Sequence, residues 1–199
     1  MELAKLQQQK HFAIHQKITM MVNRYVVAAS DPSGAEVDQV AFVEQKRMAF
    51  REEVTFYADA SKSEQLMRFK ARQVLDLGSG YDVTTPDGSP IGQFRKNFGA
   101  SLLRTTWHID QPGAPAIVGQ ERHMVIAILR RIWDVIPFTD VVPFAWPYHF
   151  DFQSPTGPVL SVDRKFGLQD RYLLTVHADA LDRRLAIAMA VALDALQAR

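Results

Sequence analysis

LAIAMAVAL, residues 185–193, is apolar at every position. A helix of this composition is hydrophobic on all sides, so it has to be surrounded rather than laid against one partner. Ala186, Ala188, Ala190 and Ala192 keep it thin. Leu185, Ile187, Met189, Val191 and Leu193 offer a gross burial of roughly 7 to 15 kcal/mol before entropy costs. A bilayer span needs about twenty apolar residues, whereas this run is closed by Asp182, Arg183 and Arg184 before it and Asp194 after it. Burial inside protein is the expectation. We read the helix as residues 179–197, with Asp179 as N-cap and Asp182 on the positive end of its dipole.

The chain ahead of this helix repeats one unit: a short apolar strand running into basic residues, an aromatic or β-branched strand, then a turn. The paired strands are IHQK (14–17) with NRYVV (23–27), FVEQKR (42–47) with VTFY (54–57), RFKAR (68–72) with YDVT (81–84), and QFRK (93–96) with WHID (107–110). VGQER (118–122) precedes YHFDF (148–152) at a greater distance, and SVDRK (161–165) precedes YLLTV (172–176). Pro32, Pro86 and Pro155 are each followed two residues later by glycine, as tight turns prefer. In YHFDF, Tyr148, Phe150 and Phe152 share one face while His149 and Asp151 share the other, the pattern of a half-buried strand. Six such units give about twelve strands, and a barrel of that size has an interior wide enough for a helix roughly 10 Å across. The fold class is therefore mainly β: a closed antiparallel barrel of about twelve strands enclosing the C-terminal helix.

One insertion interrupts the repeat. Val125, Leu129, Ile132 and Ile136 form a helical stripe, so residues 122–136 are predicted to form an amphipathic helix. The following PFTDVVPFAWP (137–147) suits a loop that caps a barrel end or meets an apolar partner. Residues 1–10 are read as a tail and 11–199 as one domain, which 199 residues at 47% hydrophobic and 23% charged support. A formal net charge of +1 excludes a general nucleic-acid binder. The absence of cysteine excludes disulfides, thiolate catalysis and palmitoylation. With neither a signal peptide nor a bilayer-length apolar run, the expected setting is cytoplasmic, with peripheral membrane contact as a further expectation.

These features together resemble the LURP-one-related branch of the tubby-like superfamily, near the phospholipid scramblases. The echoes are HFAIHQKITMMVNRYVV (11–27), RFKARQVLDLGSGYDV (68–83), QFRKNFGASLLRTTWHI (93–109), DRKFGLQDRYLLTV (163–176) and LDRRLAIAMAVALDAL (181–196), which together reach across nearly the whole chain. The resemblance implies a closed twelve-stranded barrel around a central C-terminal helix. For function it implies little: tubby-type members bind phosphoinositides through basic residues, scramblases move phospholipids, and the LURP-one-related branch is mostly without assigned activity. This sequence departs from scramblases in having no cysteine-rich segment, membrane span or EF-type calcium loop.

The basic residues closing the first strands recur at corresponding places: Lys17, Lys46, Arg47, Lys70, Arg72, Arg95, Lys96, Arg122, Arg164 and Lys165. Aligned on one rim they would suit phosphate groups; dispersed, they are solvated charges that keep strands from pairing with other chains. Arg95, Lys96, Arg122, Arg164 and Lys165 are the candidate ligand contacts. Arg130, Arg131, Trp133 and Trp146 are candidate contacts to anionic lipid or a protein partner. VLDLGSG (74–80) matches the opening of the glycine-rich loop of S-adenosylmethionine-dependent methyltransferases, but YDVTTPDGSP after it reads as strand and turn where a helix should follow. The six histidines show no metal-ligand spacing, and no nucleophile, acid or base stands out. The reading is a non-catalytic binding or scaffold module without cofactor or metal, whose leading ligand is an anionic phospholipid or phosphorylated small molecule. The alternatives are a methyltransferase or a protein-interaction module built on residues 137–147.

Overall fold

The computed structural model describes residues 2–18, 22–46, 53–72, 80–97, 105–122, 149–165 and 171–196. A short helix α1 (Leu3–Gln8) leads into β1 (His11–Ile18), β2 (Val22–Ser30), β3 (Glu36–Lys46), β4 (Glu53–Tyr57), β5 (Gln65–Ala71) and β6 (Tyr81–Thr84). Next come β7 (Pro90–Lys96), β8 (Thr106–Asp110), β9 (Ile117–Glu121), β10 (His149–Ser154), β11 (Gly157–Lys165), β12 (Arg171–Val176) and helix α2 (Arg183–Ala195). Each strand pairs antiparallel with the next, and β1 pairs with β12, so the sheet closes into a barrel without edges. Every two-strand unit read from the sequence is present as a strand pair. The segment 123–148, with the expected amphipathic helix, the 137–147 loop, Arg130, Arg131, Trp133 and Trp146, lies outside the described residues.

Alternation fills the interior. Tyr172, Leu174 and Val176 of β12, Phe150 and Phe152 of β10, and Val54 and Phe56 of β4 all point inward and are buried. Phe69, Phe94 and Trp107, on β5, β7 and β8, line one wall with ring centroids 5.2 Å and 6.1 Å apart. Helix α2 runs through this interior, with every residue from Leu185 to Leu193 at most 1% exposed. Gly92 and Gly119 give the packing its closest approaches. A Cβ at Gly92 would stand 2.6 Å from Leu185 of the helix, and one at Gly119 would stand 2.1 Å from the ring of Phe152, its cross-strand partner. Gly119→Ala is therefore expected to cost about 1–3 kcal/mol of overpacking, a fall in melting temperature of roughly 2–12 °C for a domain of this size. An unchanged melting curve would show that Phe152 has room to swing away.

Strand direction alternates, so the barrel has two distinct ends. The lower rim carries the tight turns that close the hairpins, with Gly34, Gly88 and Gly157 at positive φ in the three Pro-x-Gly turns. The upper rim carries the last residues of odd-numbered strands and the first residues of even-numbered ones. Helix α2 follows β12, so it enters at the lower rim and ends near the upper one. There Tyr25 and Tyr172 both donate hydrogen bonds to Asp194, the former at 2.7 Å. Gln45, itself held by Asn23, donates to the Ala195 carbonyl at 3.3 Å.

Two expectations are corrected at the lower rim. The helix starts at Arg183 with Asp182 as its N-cap, accepting from Arg184 N at 2.9 Å, rather than at Asp179. Asp182 N is taken by Gln111 Oε1 at 2.7 Å, while the Ala178 and Asp179 carbonyls are taken by the Arg183 guanidinium, so the chain cannot wind earlier. Burial works against the Asp182 carboxylate, but hydrogen bonds from Arg184 and Gln7 hold it below the usual aspartate range. Residues 1–10 are also more than a tail. Helix α1 buries Leu6, and its Gln7 donates to Asp182 and accepts from Arg183 N, fastening the N-terminal segment onto the start of α2.

The β2–β3 hairpin departs from a simple barrel wall. Two register shifts, after Val27 and after Ala29, bend it so that its tip lies against the outside of β12. A Cβ at Gly34 would stand 2.9 Å from Leu173, and Gly34 has φ +90°, so glycine suits both the space and the turn. Glu36 at the tip bonds His15, and the Gly34 carbonyl accepts from Arg171.

A cationic rim as candidate anion-binding site

The basic residues that close the first strands are gathered by the topology at the upper rim, because each closes an odd-numbered strand. The side chains of Lys46 and Arg47 lie outside the described residues. The pleat divides the others. Lys96 and Arg164 occupy the inward positions of β7 and β11 and are half-buried, whereas Arg95 and Lys165 face outward and are exposed.

Most outward cations carry their own carboxylate. Arg122 makes a bidentate pair with Asp151 at 2.7 Å and 2.6 Å and reaches Asp163 at 3.2 Å. The hydrogen bond to Asp151 raises the Arg122 guanidinium further above its ordinary value, and the same contact holds the Asp151 carboxyl down. Arg72 forks onto Asp82, with its shortest contact 2.6 Å. Glu53 takes Lys70 at 3.1 Å and Arg68 at 3.8 Å. Pairs this exposed are each worth about 0–1 kcal/mol, so they neutralise the surface more than they stabilise it.

Among the described residues, Lys17, Arg95 and Lys165 face outward with no carboxylate at ion-pair distance. Arg95 is directly opposite His108, whose imidazole is pushed below its ordinary value by burial and then by the Arg95 charge. Lys165 is opposite Arg171, Arg171 is opposite His15, and Lys17 is opposite Arg24. Arg24 and Arg171 were not among the sequence candidates, because they open even-numbered strands rather than close odd ones. The signal was the same one, a basic residue at a strand terminus. Like charges about 5 Å apart repel by about 0.8 kcal/mol in water and about 3 kcal/mol at an effective dielectric of 20. Glu44 offsets Arg24 at 3.5 Å, and Glu36 offsets Arg171 at 3.9 Å.

A recess of about 350 Å³ lies on the outer face over β7, lined by Arg72, Asp82, Gln93 and Asp110 with Pro90 and Pro112. Its polar groups are tied to one another, Arg72 to Asp82 and Gln93, and Gln93 to Asp110 at 3.0 Å. Among the described residues there is no group of three His, Asp or Glu placed to hold a metal. The glycine-rich stretch 73–79 lies outside the described residues, and Gly80 is followed by β6 in an antiparallel pair with β5, not by the helix of a nucleotide-binding unit.

Residues 39–194 match the model of the LURP-one-related family, most of the chain and nearly all of the barrel. The chain belongs to the LURP-one-related family. No curated protein matches it. In this LURP-one-related barrel α2 runs buried through the interior, while the strand-end cations sit at the rim and on the outer face.

Proposed function

We propose that this non-catalytic LURP-one-related module binds an anionic, phosphorylated ligand, such as a phospholipid headgroup, at its upper rim. The supporting observation is the gathering of strand-end cations at one end of a closed barrel, with Arg95 and Lys165 carrying no carboxylate among the described residues. Guanidinium and ammonium groups so placed make charge-assisted hydrogen bonds to phosphate oxygens without any catalytic partner. A peripheral position at a cytoplasmic membrane surface accompanies this reading, since anionic lipids concentrate in the cytoplasmic leaflet. No helix among the described residues is long and apolar enough to cross a bilayer.

The test is charge reversal of the exposed Arg95 and Lys165 together, followed by sedimentation with vesicles containing anionic phospholipid. Binding is expected to disappear while the melting temperature stays within a few degrees of wild type. Vesicle binding undiminished in the reversed variant would overturn the reading.

A further inference from the structure

We propose that the phosphate site lies on the seam where the barrel closes, on the outward face of β11, β12, β1 and β2. Its contact residues are Lys165, Arg171, Lys17 and Arg24, and its ligand is a multiply phosphorylated group rather than a single anion. The proposal rests on the anion-binding reading above and gives it a place and a ligand class.

The register is the first argument. Lys165 against Arg171 and Lys17 against Arg24 set cations directly opposite one another across two strand gaps, with His15 joining Arg171 to the β1 side. Neighbouring strands lie about 4.8 Å apart, so the row spans roughly 14 Å over three gaps. A phosphate seated between two opposed cations turns one repulsion into two attractions, and a row of such pairs favours a ligand with more than one phosphate. The rest of the outer face is built differently. There Arg68 and Lys70 share Glu53, Arg72 holds Asp82, and Arg122 holds Asp151 and Asp163, which leaves Arg95 beside His108 with no carboxylate at ion-pair distance among the described residues.

Incomplete neutralisation is the second argument. Among the described residues Arg24 meets Glu44 at 3.5 Å, shared with Lys62, and Arg171 meets Glu36 at 3.9 Å, shared with His15. Asp163, the outward acid nearest Lys165 on β11, is taken by Arg122 and His149. The Gly34 carbonyl meanwhile fixes the Arg171 guanidinium in place, so less of its freedom remains to be lost on binding.

The experiment compares the wild type with two double variants, Lys17→Glu with Lys165→Glu, and, at the exposed lower-rim positions, Lys5→Glu with Lys10→Glu. Lys17 and Lys165 are exposed and pair with no carboxylate among the described residues, so their reversal leaves the fold intact, which a melting curve verifies. The probes are inorganic phosphate, soluble inositol trisphosphate, and phosphatidylcholine vesicles with and without phosphatidylinositol bisphosphate. The expected result is preference for the trisphosphate or the bisphosphate vesicles over inorganic phosphate. The Lys17/Lys165 variant should lose at least tenfold in affinity and show a shallower salt dependence, and the Lys5/Lys10 variant should stay within about twofold. Because Arg95 pushes His108 down, His108 reports on an anion placed there, and its NMR titration should not move with a seam ligand. Binding of the soluble trisphosphate identifies the phosphates alone as sufficient. Binding to vesicles only identifies a bilayer-borne headgroup, and either supports the seam if lost in the Lys17/Lys165 variant. Wild-type affinity in that variant, an upward shift of His108, or equal affinity for inorganic phosphate overturns the proposal while leaving the anion-binding reading standing. A wild-type protein that binds none of the probes overturns both.

Discussion

Met189→Lys yields no folded domain. Met189 sits mid-way along α2 with 0% exposure, and about 9 Å of helix separates it from Ala195 near the upper rim, too far for an ammonium group to reach water. The substitution forfeits about 1.5–3 kcal/mol of side-chain burial and adds an effective penalty of several kcal/mol for an unpaired ion in an apolar interior. A domain has about 5–15 kcal/mol in all, so the folded population collapses. Met189→Leu is the control, at less than about 1.5 kcal/mol. Expression in the soluble fraction and far-UV circular dichroism check both. A soluble Met189→Lys protein melting like wild type would show that α2 is not held inside the barrel.

Arg183→Ala has the next largest expected effect, about 3–5 kcal/mol, or roughly 6–20 °C in melting temperature. Arg183 is 1% exposed, yet its Nε and Nη1 find backbone carbonyls and its Nη2 faces the Asp179 carboxylate at 3.7 Å. Its Nε donates to the Gln9 carbonyl at 2.9 Å, and Nη1 donates to Ala178, Asp179 and Leu181 at 3.1, 3.1 and 2.6 Å. Truncation takes a donor from four carbonyls, of which Ala178 keeps Leu181 N, and removes the clasp between the N-terminal segment, the turn after β12 and the start of α2. Protection of the Gln9–Phe12 amides from hydrogen exchange should fall more than that of strands across the barrel. A loss below about 1 kcal/mol would mean that water replaces the guanidinium.

The features legible in the sequence were those set by local periodicity. An inner residue every second position reveals each strand, and LAIAMAVAL reveals what they surround, because both patterns are written in consecutive residues. The start of α2 was not legible. Asp179 and Asp182 look equally good as caps, and the choice is made by Gln111 and Gln7, roughly 70 and 175 residues away in sequence. Helix α1 escaped for the same reason: six residues with one buried leucine carry little pattern of their own. At the rim, the cations closing odd strands were visible as a repeat. Which of them are neutralised was not, since Asp151 and Asp163 reach Arg122 from other strands. The opposition of Arg171 to His15 exists only once β12 has found β1.

That closure has a consequence for how the protein is made. At about 5–20 residues per second of synthesis, on the order of ten to thirty-five seconds pass between the appearance of β1 and that of α2. Throughout this interval the inward Phe, Tyr and Val side chains of the nascent strands have no filler, and β1 waits for a neighbour whose sequence is the last of the twelve. The apolar wall is therefore synthesised before its contents, which makes the nascent chain a natural client for chaperones. Such pairing between distant segments is intrinsically slow. A premature stop anywhere after Val176 and before Leu185 would leave every strand of the barrel in place and take away the one element that they close around.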